Sequence, residues 1–262
     1  MADCVRDNTG TKGSVLVASS GLSIQYAILM GLVEDAQVQH PGKSIAIILP
    51  PNCYGGTNDQ ARRVASLVPN ADIVDLLVDG GQDLVKSLRT ALAQVAEMNA
   101  VPIVLAEIPT NPRVEVPDLN ELAEVLSTAR STPDNQSAIE PTFMVDQTFC
   151  PNVRLLGEDS PLAAVKVISF CSGSKFPSGG LCTAGYCASN TVAENLLQLI
   201  SAHLLLSDNT ALAHQINTLA EYMPSMPERI ARAYDNTLAF VNNIKQTLPS
   251  AKINFVSEAL AE

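Results

Sequence analysis

Lys175 closes the run Val167-Ile168-Ser169-Phe170-Cys171-Ser172-Gly173-Ser174-Lys175. An apolar, partly β-branched stretch gives way to small hydroxyl residues and then to a single amine, so Lys175 falls where a strand stops and a polar loop begins. In α/β proteins ligands gather at the carboxyl ends of the strands. Ser172 and Ser174 place hydroxyl donors beside the amine, a set that suits a phosphate. A lysine so placed is either a solvated surface charge or a nucleophile able to form a Schiff base with an aldehyde cofactor.

Four other segments carry residue types of similar promise, each beside an ordinary alternative. Ser19-Ser20-Gly21-Leu22 opens a helix. Small residues there let backbone N–H groups reach an anion with the helix dipole behind them, or Ser20 simply caps the helix. In Tyr54-Gly55-Gly56-Thr57 the glycines make a tight turn, and Tyr54 either covers a planar ring or is partly buried. In Glu107-Ile108-Pro109-Thr110-Asn111-Pro112 two prolines fix the loop path, which presents Asn111 rigidly or forms a plain turn. In Asp146-Gln147-Thr148-Phe149 an acid follows the apolar Phe143-Met144-Val145. A carboxylate at the end of a buried strand is costly unless paired, either with a protonated ring nitrogen or with a structural Arg or Lys.

The elements that must position these residues alternate. The patterning predicts strands over 15–18, 44–49, 73–78, 102–107, 142–145, 165–170 and 181–187. It predicts helices over 21–36, 57–67, 84–98 and 119–129, with Ser20 and Asp118 as caps, and then 192–206, 211–222 and 227–247. Residues 131–140, rich in Ser, Pro and Asn, read as an exposed loop, and 253–256 as the start of a further strand. Continuous apolar strands separated by helices indicate a mostly parallel sheet covered on both faces.

Composition sets outer limits. The 262 residues are 47% apolar, enough for one large domain, or one domain with an appendage, with a substantial core. A net charge of −11 argues against nucleic-acid or anionic-membrane partners, which need clustered cations, but leaves room for one small anion. Cys4, Cys53, Cys150, Cys171, Cys182 and Cys187 form no CxxC pair, which suggests free thiols and a cytoplasmic setting. No signal-peptide core and no membrane-length apolar run stands out. His40, His203 and His214 show no metal spacing, and Glu34-Asp35, Glu158-Asp159 and Arg62-Arg63 read as solvated charges.

Taken in order, the five segments resemble the cysteine/methionine-metabolism family of pyridoxal-phosphate enzymes, which includes cystathionine synthases and lyases, methionine γ-lyase and homoserine sulfhydrylases. That family shows a Ser-Gly-Met-like turn, Tyr-Gly-Gly-Thr, Glu-x-Pro-Thr-Asn-Pro, Val-Asp-Asn-Thr-Phe and Ser-x-Thr-Lys. The counterparts here are Ser20-Gly21-Leu22, Tyr54–Thr57, Glu107–Pro112, Val145–Phe149 and Ser172–Lys175. The resemblance implies the large domain of the aspartate-aminotransferase-like (fold type I) enzymes over residues 1–206. Residues 207–262 would be a helical extension towards a small C-terminal domain.

The same resemblance implies pyridoxal 5′-phosphate bound as a Schiff base to Lys175, with Asp146 on the pyridine nitrogen and Tyr54 stacked on the ring as a second catalytic residue. Ser20, Gly21, Leu22, Ser172 and Ser174 would cradle the phosphate. Asn111 would stand near the 3′-oxygen and the substrate carboxylate, and Thr148 near the ring. It further implies an amino-acid substrate bearing sulfur or an acylated hydroxyl, γ-replacement or γ/β-elimination, and a homodimer or homotetramer. The departures are Phe176-Pro177-Ser178-Gly179-Gly180-Leu181, where the family has a Gly-Gly-His-Ser-Asp type stretch, and an N-terminal part without the family's Tyr-x-Arg. The missing N-terminal arm, together with the family's C-terminal small domain being expected beyond residue 262, leaves a second expectation, a non-catalytic or truncated relative with an assembly or regulatory role.

Overall fold

The computed structural model describes residues 1–78, 84–111, 114–253 and 255. Pro112, Val256 and residues 257–262, named above, lie outside them. The strands are β1 (Val15–Ala18), β2 (Ile45–Leu49), β3 (Ala71–Asp75), β4 (Val101–Glu107), β5 (Thr142–Asp146), β6 (Lys166–Ser172) and β7 (Gly185–Ser189). The helices are α1 (Ala2–Thr9), α2 (Gly21–Gln39), α3 (Gly55–Leu67), α4 (Leu84–Glu97), α5 (Leu119–Ser127), α6 (Leu196–Leu206), α7 (Ala213–Tyr222) and α8 (Met226–Thr247). No described helix is long and apolar enough to cross a membrane.

The seven strands form one sheet in the order β1-β7-β6-β5-β4-β2-β3. β3, β2, β4, β5 and β6 run parallel, and β7 lies antiparallel to both β6 and β1. The expected mostly parallel sheet is thus present, with one reversed strand. The central strands are apolar throughout because helices cover both faces. Ala46, Ile48, Val104, Ala106, Phe143, Val145 and Val167 pack towards α1, α4, α5 and α7. Their alternates Ile47, Leu49, Ile103, Leu105, Met144 and Ile168 pack towards α2, α3 and α6. Each such fully buried aliphatic side chain contributes about 2 kcal/mol relative to exposure.

Both expected caps are present. The Ser20 side chain accepts from Ser23 N–H, and Asp118 accepts from Asn120 and Glu121 N–H. Several expectations needed correction. α1 was not anticipated, because its helical pattern is short and mostly polar and its burial rests on Val5 and Thr9. β7 begins at Gly185 rather than 181, because residues 176–182 form turns whose Ser178 N–H closes onto Gly173 C=O at 3.0 Å. The helix expected over 192–206 is a 3-10 turn, Thr191–Ala193, capped by Asn190, followed by α6. Ile253 and Phe255 are not in a strand; Phe255 instead stacks on Tyr234 of α8 with ring centroids 5.4 Å apart. Glu34 is not simply solvated, since its Oε2 lies 2.9 Å from His203 Nε2 and ties α2 to α6. Arg62 and Arg63 are surface charges as expected, paired with Asp75 and Asp59.

Candidate active site

The carboxyl ends of β2, β4, β5 and β6 open onto a cavity of about 210 Å³. Its lining contains every one of the ten residues singled out from sequence: Ser20, Gly21 and Leu22; Tyr54; Asn111; Asp146 and Thr148; and Ser172, Ser174 and Lys175. The sheet gathers them because β1 and β6 both end against the first residue of β7. Ala18 and Ser172 are both register partners of Gly185. A side chain at Gly185 would collide with the Ser20 carbonyl oxygen. A Cβ at Gly21 would come within 2.9 Å of Ser172 Cβ and 3.1 Å of its Oγ. Glycine at these two positions lets the start of α2 lie directly against the segment that carries Lys175.

One end of the cavity is therefore the N-terminus of α2. The first N–H groups of a helix have no intrahelical acceptor and sit at the positive end of its dipole. The Ser20 hydroxyl is taken by the cap, accepting from Ser23 N–H at 3.0 Å and lying 2.8 Å from Ser23 Oγ, which leaves the Gly21 and Leu22 N–H groups for a ligand. Ser172 Oγ and Ser174 Oγ lie 2.8 Å apart on the facing segment, two hydroxyls that can turn towards an anion.

Asp146 closes the floor. Its Oδ1 accepts the Thr148 backbone N–H at 2.8 Å, and the Thr148 hydroxyl also favours its charged form. Thr148 Oγ1 in turn accepts Ser172 N–H at 3.0 Å, so this hydroxyl is committed to joining the ends of β5 and β6 although Thr148 lines the cavity. Burial pushes the Asp146 carboxyl above the usual carboxylate range, with the Thr148 contacts opposing. Among the described residues no Arg or Lys pairs with it. Of the two partners envisaged for this acid, a structural cation is thus not seen there, and the cavity-facing position suits a cationic group on a ligand.

Lys175 is exposed and, among the described residues, is the one cationic side chain lining the cavity. Tyr54 stands at the rim, 51% exposed, where its ring can cover a planar ligand. Three buried polar lining residues were given no role from sequence. Glu107 is 6% exposed, and Gln25 and Thr57 are joined by a 2.7 Å bond from Thr57 Oγ1 to Gln25 Oε1. Glu107 was visible as the first residue of its motif; Gln25 carried no signal beyond being polar on an apolar helix. The Phe176–Leu181 departure forms a turn held to α8, with Arg229 Nη2 donating to Pro177 C=O at 3.4 Å.

The fold has counterparts among solved structures. MetB of Corynebacterium glutamicum matches with a TM-score of 0.69 at 18% identity, covering 98% of this chain and 60% of that one. A cystathionine gamma-synthase from Xanthomonas oryzae pv. oryzae in complex with cystathionine gives 0.65 at 16%, covering 96% and 55%. A cystathionine gamma-lyase from Micromonospora echinospora gives 0.62 at 20%, covering 86% and 50%. The fold is that of the large domain of fold type I pyridoxal-phosphate enzymes. The chain spans about half to three fifths of the length of these structures. No protein-family model matches the chain, and no curated protein matches it.

Proposed function

We propose that this chain is the cofactor domain of a pyridoxal-5′-phosphate-dependent enzyme acting on a sulfur-containing amino acid or a homoserine ester, by γ-replacement or γ/β-elimination. The observation that carries this reading is Asp146, a desolvated carboxyl without a described cationic partner, on the floor of a cavity that also holds Lys175 and a helix N-terminus. When bound, the cofactor supplies an electron sink for charge developing at the substrate Cα.

The residues divide the remaining work. Gly21 and Leu22 N–H, with the Ser172 and Ser174 hydroxyls, hold the phosphate group. Asp146 keeps a proton on the pyridine nitrogen, and the attraction in turn relieves its own desolvation. Tyr54 covers the ring face and excludes water. Asn111 orients the substrate carboxylate and the 3′-oxygen. The Lys175 amine would hold the cofactor, and it is the base that would take a proton from the substrate Cα and return it further along the side chain. On this reading the working unit is a cytoplasmic homodimer or homotetramer, and residues 207–262 lead from the cofactor domain of residues 1–206 towards a second domain.

Adding pyridoxal phosphate to the protein should produce a visible absorption band, and borohydride should then fix the label on Lys175. Lys175→Ala should abolish both. Absence of the band, or a label on another lysine, would overturn the proposal. Uptake without turnover of cystathionine or an O-acylhomoserine would favour the non-catalytic relative instead.

A further inference from the structure

Glu107, at the end of β4, sits at the junction of two segments that the proposed function needs in place. Its Oε1 accepts the backbone N–H of Tyr54, in the loop before α3, at 2.7 Å. This is the short range of charge-assisted bonds. The backbone N–H of Asn111, in the loop after β4, also favours the charged form of the carboxyl. Glu107 is almost wholly buried, lines the same cavity, and its register partner across the sheet is Asp146. Among the described residues, the titratable groups around it are the Cys53 thiol beside Tyr54, Asp146 at the end of β5, and Lys175, which lines the same cavity.

We infer that Glu107 is a positioning residue for the proposed cofactor site, and that its carboxylate holds the Tyr54 and Asn111 segments against the cavity only while it is ionised. A carboxylate offers acceptors on both oxygens, enough for two N–H groups; a neutral carboxyl turns one of those oxygens into a donor and weakens the pair. Burial first, and the Asp146 charge after the opposing Tyr54 bond, push this carboxyl up to about 7, so the change falls in the neutral range. Below it Tyr54 loosens; above it Tyr54 is drawn in. The inference rests on the cofactor reading, but its first test does not need the cofactor.

The chain has five tyrosines, so backbone ¹⁵N-tyrosine labelling gives a small set of amide peaks in which Tyr54 is assigned by its loss in Tyr54→Phe. In the cofactor-free protein the Tyr54 peak should titrate with a midpoint near that of Glu107, and the titration should vanish in Glu107→Gln. A Tyr54 peak that does not move between pH 5.5 and 8.5, both ~1.5 units either side of about 7, overturns the inference.

The second test measures pyridoxal-phosphate affinity by absorbance in wild type and Glu107→Gln. Protonation of the cofactor and of Lys175 affects both proteins alike, so the ratio isolates Glu107. The ratio should favour wild type by about tenfold at high pH, the difference between a charged and a neutral acceptor, and fall towards one at low pH. A ratio independent of pH overturns the inference. Failure of wild type to take up the cofactor while the Tyr54 peak still titrates overturns the functional reading alone and leaves the Glu107 device standing.

Discussion

Glu107 and Asp146 are the residues with most at stake, because both are acids that the fold has removed from water. For Glu107 the consequence for stability has a definite sign. Its carboxyl is raised from 4.5 to about 7, so between those values the folded state holds a proton that the unfolded state has released. Stability from this group is therefore complete below 4.5 and is lost as pH rises through about 7. Glu107→Gln removes the charge but keeps an acceptor for Tyr54 N–H. It should raise the urea-unfolding stability of the cofactor-free protein by roughly 2 kcal/mol at pH 8 and by almost nothing near pH 4.5. An equal gain at both pH values would show that the buried charge is not its source. A residue whose replacement stabilises the fold while weakening the site is what a functional position looks like.

At the level of the elements, the start of α2 and the ends of β1, β6 and β7 form one packed unit around Gly21 and Gly185. Gly185→Ala should push the Ser20–Gly21 turn away from Ser172. It should destabilise the protein by about 1–3 kcal/mol and weaken cofactor uptake, whereas Gly42→Ala, strained at φ +79° but outside the cavity lining, should cost stability and leave uptake unchanged. Equal uptake by both variants would separate the cradle from this contact. Much of this level was legible in the sequence: strand periodicity, the Ser20 and Asp118 caps, and five short motifs that hold ten of the residues lining the cavity. What was not legible depended on contacts across the sheet. The position of β7 was misread because residues 181–184 are as small and apolar as a strand but are used in the turn that reverses the chain. α1 escaped because its burial is fixed by packing on the sheet rather than by its own pattern, and Gln25 because only Thr57, on another helix, explains it.

Across the whole molecule, stability is unevenly spread. α7 is fastened to the sheet by Leu219 and by Gln215, which donates to the Ser19 and Thr183 carbonyls. α8, by contrast, buries only Met226 and Val241 over 22 residues. Amide hydrogens of its second half should exchange far faster than those of β4 to β6, and comparable protection along both would contradict this picture.

The reversed strand carries a further consequence, for the order of assembly. β1 is made near the start of the chain, yet its partner in the sheet is β7, made long after it. During synthesis, β2 to β6 can align in sequence while β1 waits. The N-terminus of α2 then reaches Ser172 only when residues 185–189 have paired with both β1 and β6. Pairings this distant in sequence are slow to form. On the proposed function, uptake of the cofactor would accordingly be a late event, and its appearance in a refolding experiment would time the closing of the last gap in the sheet.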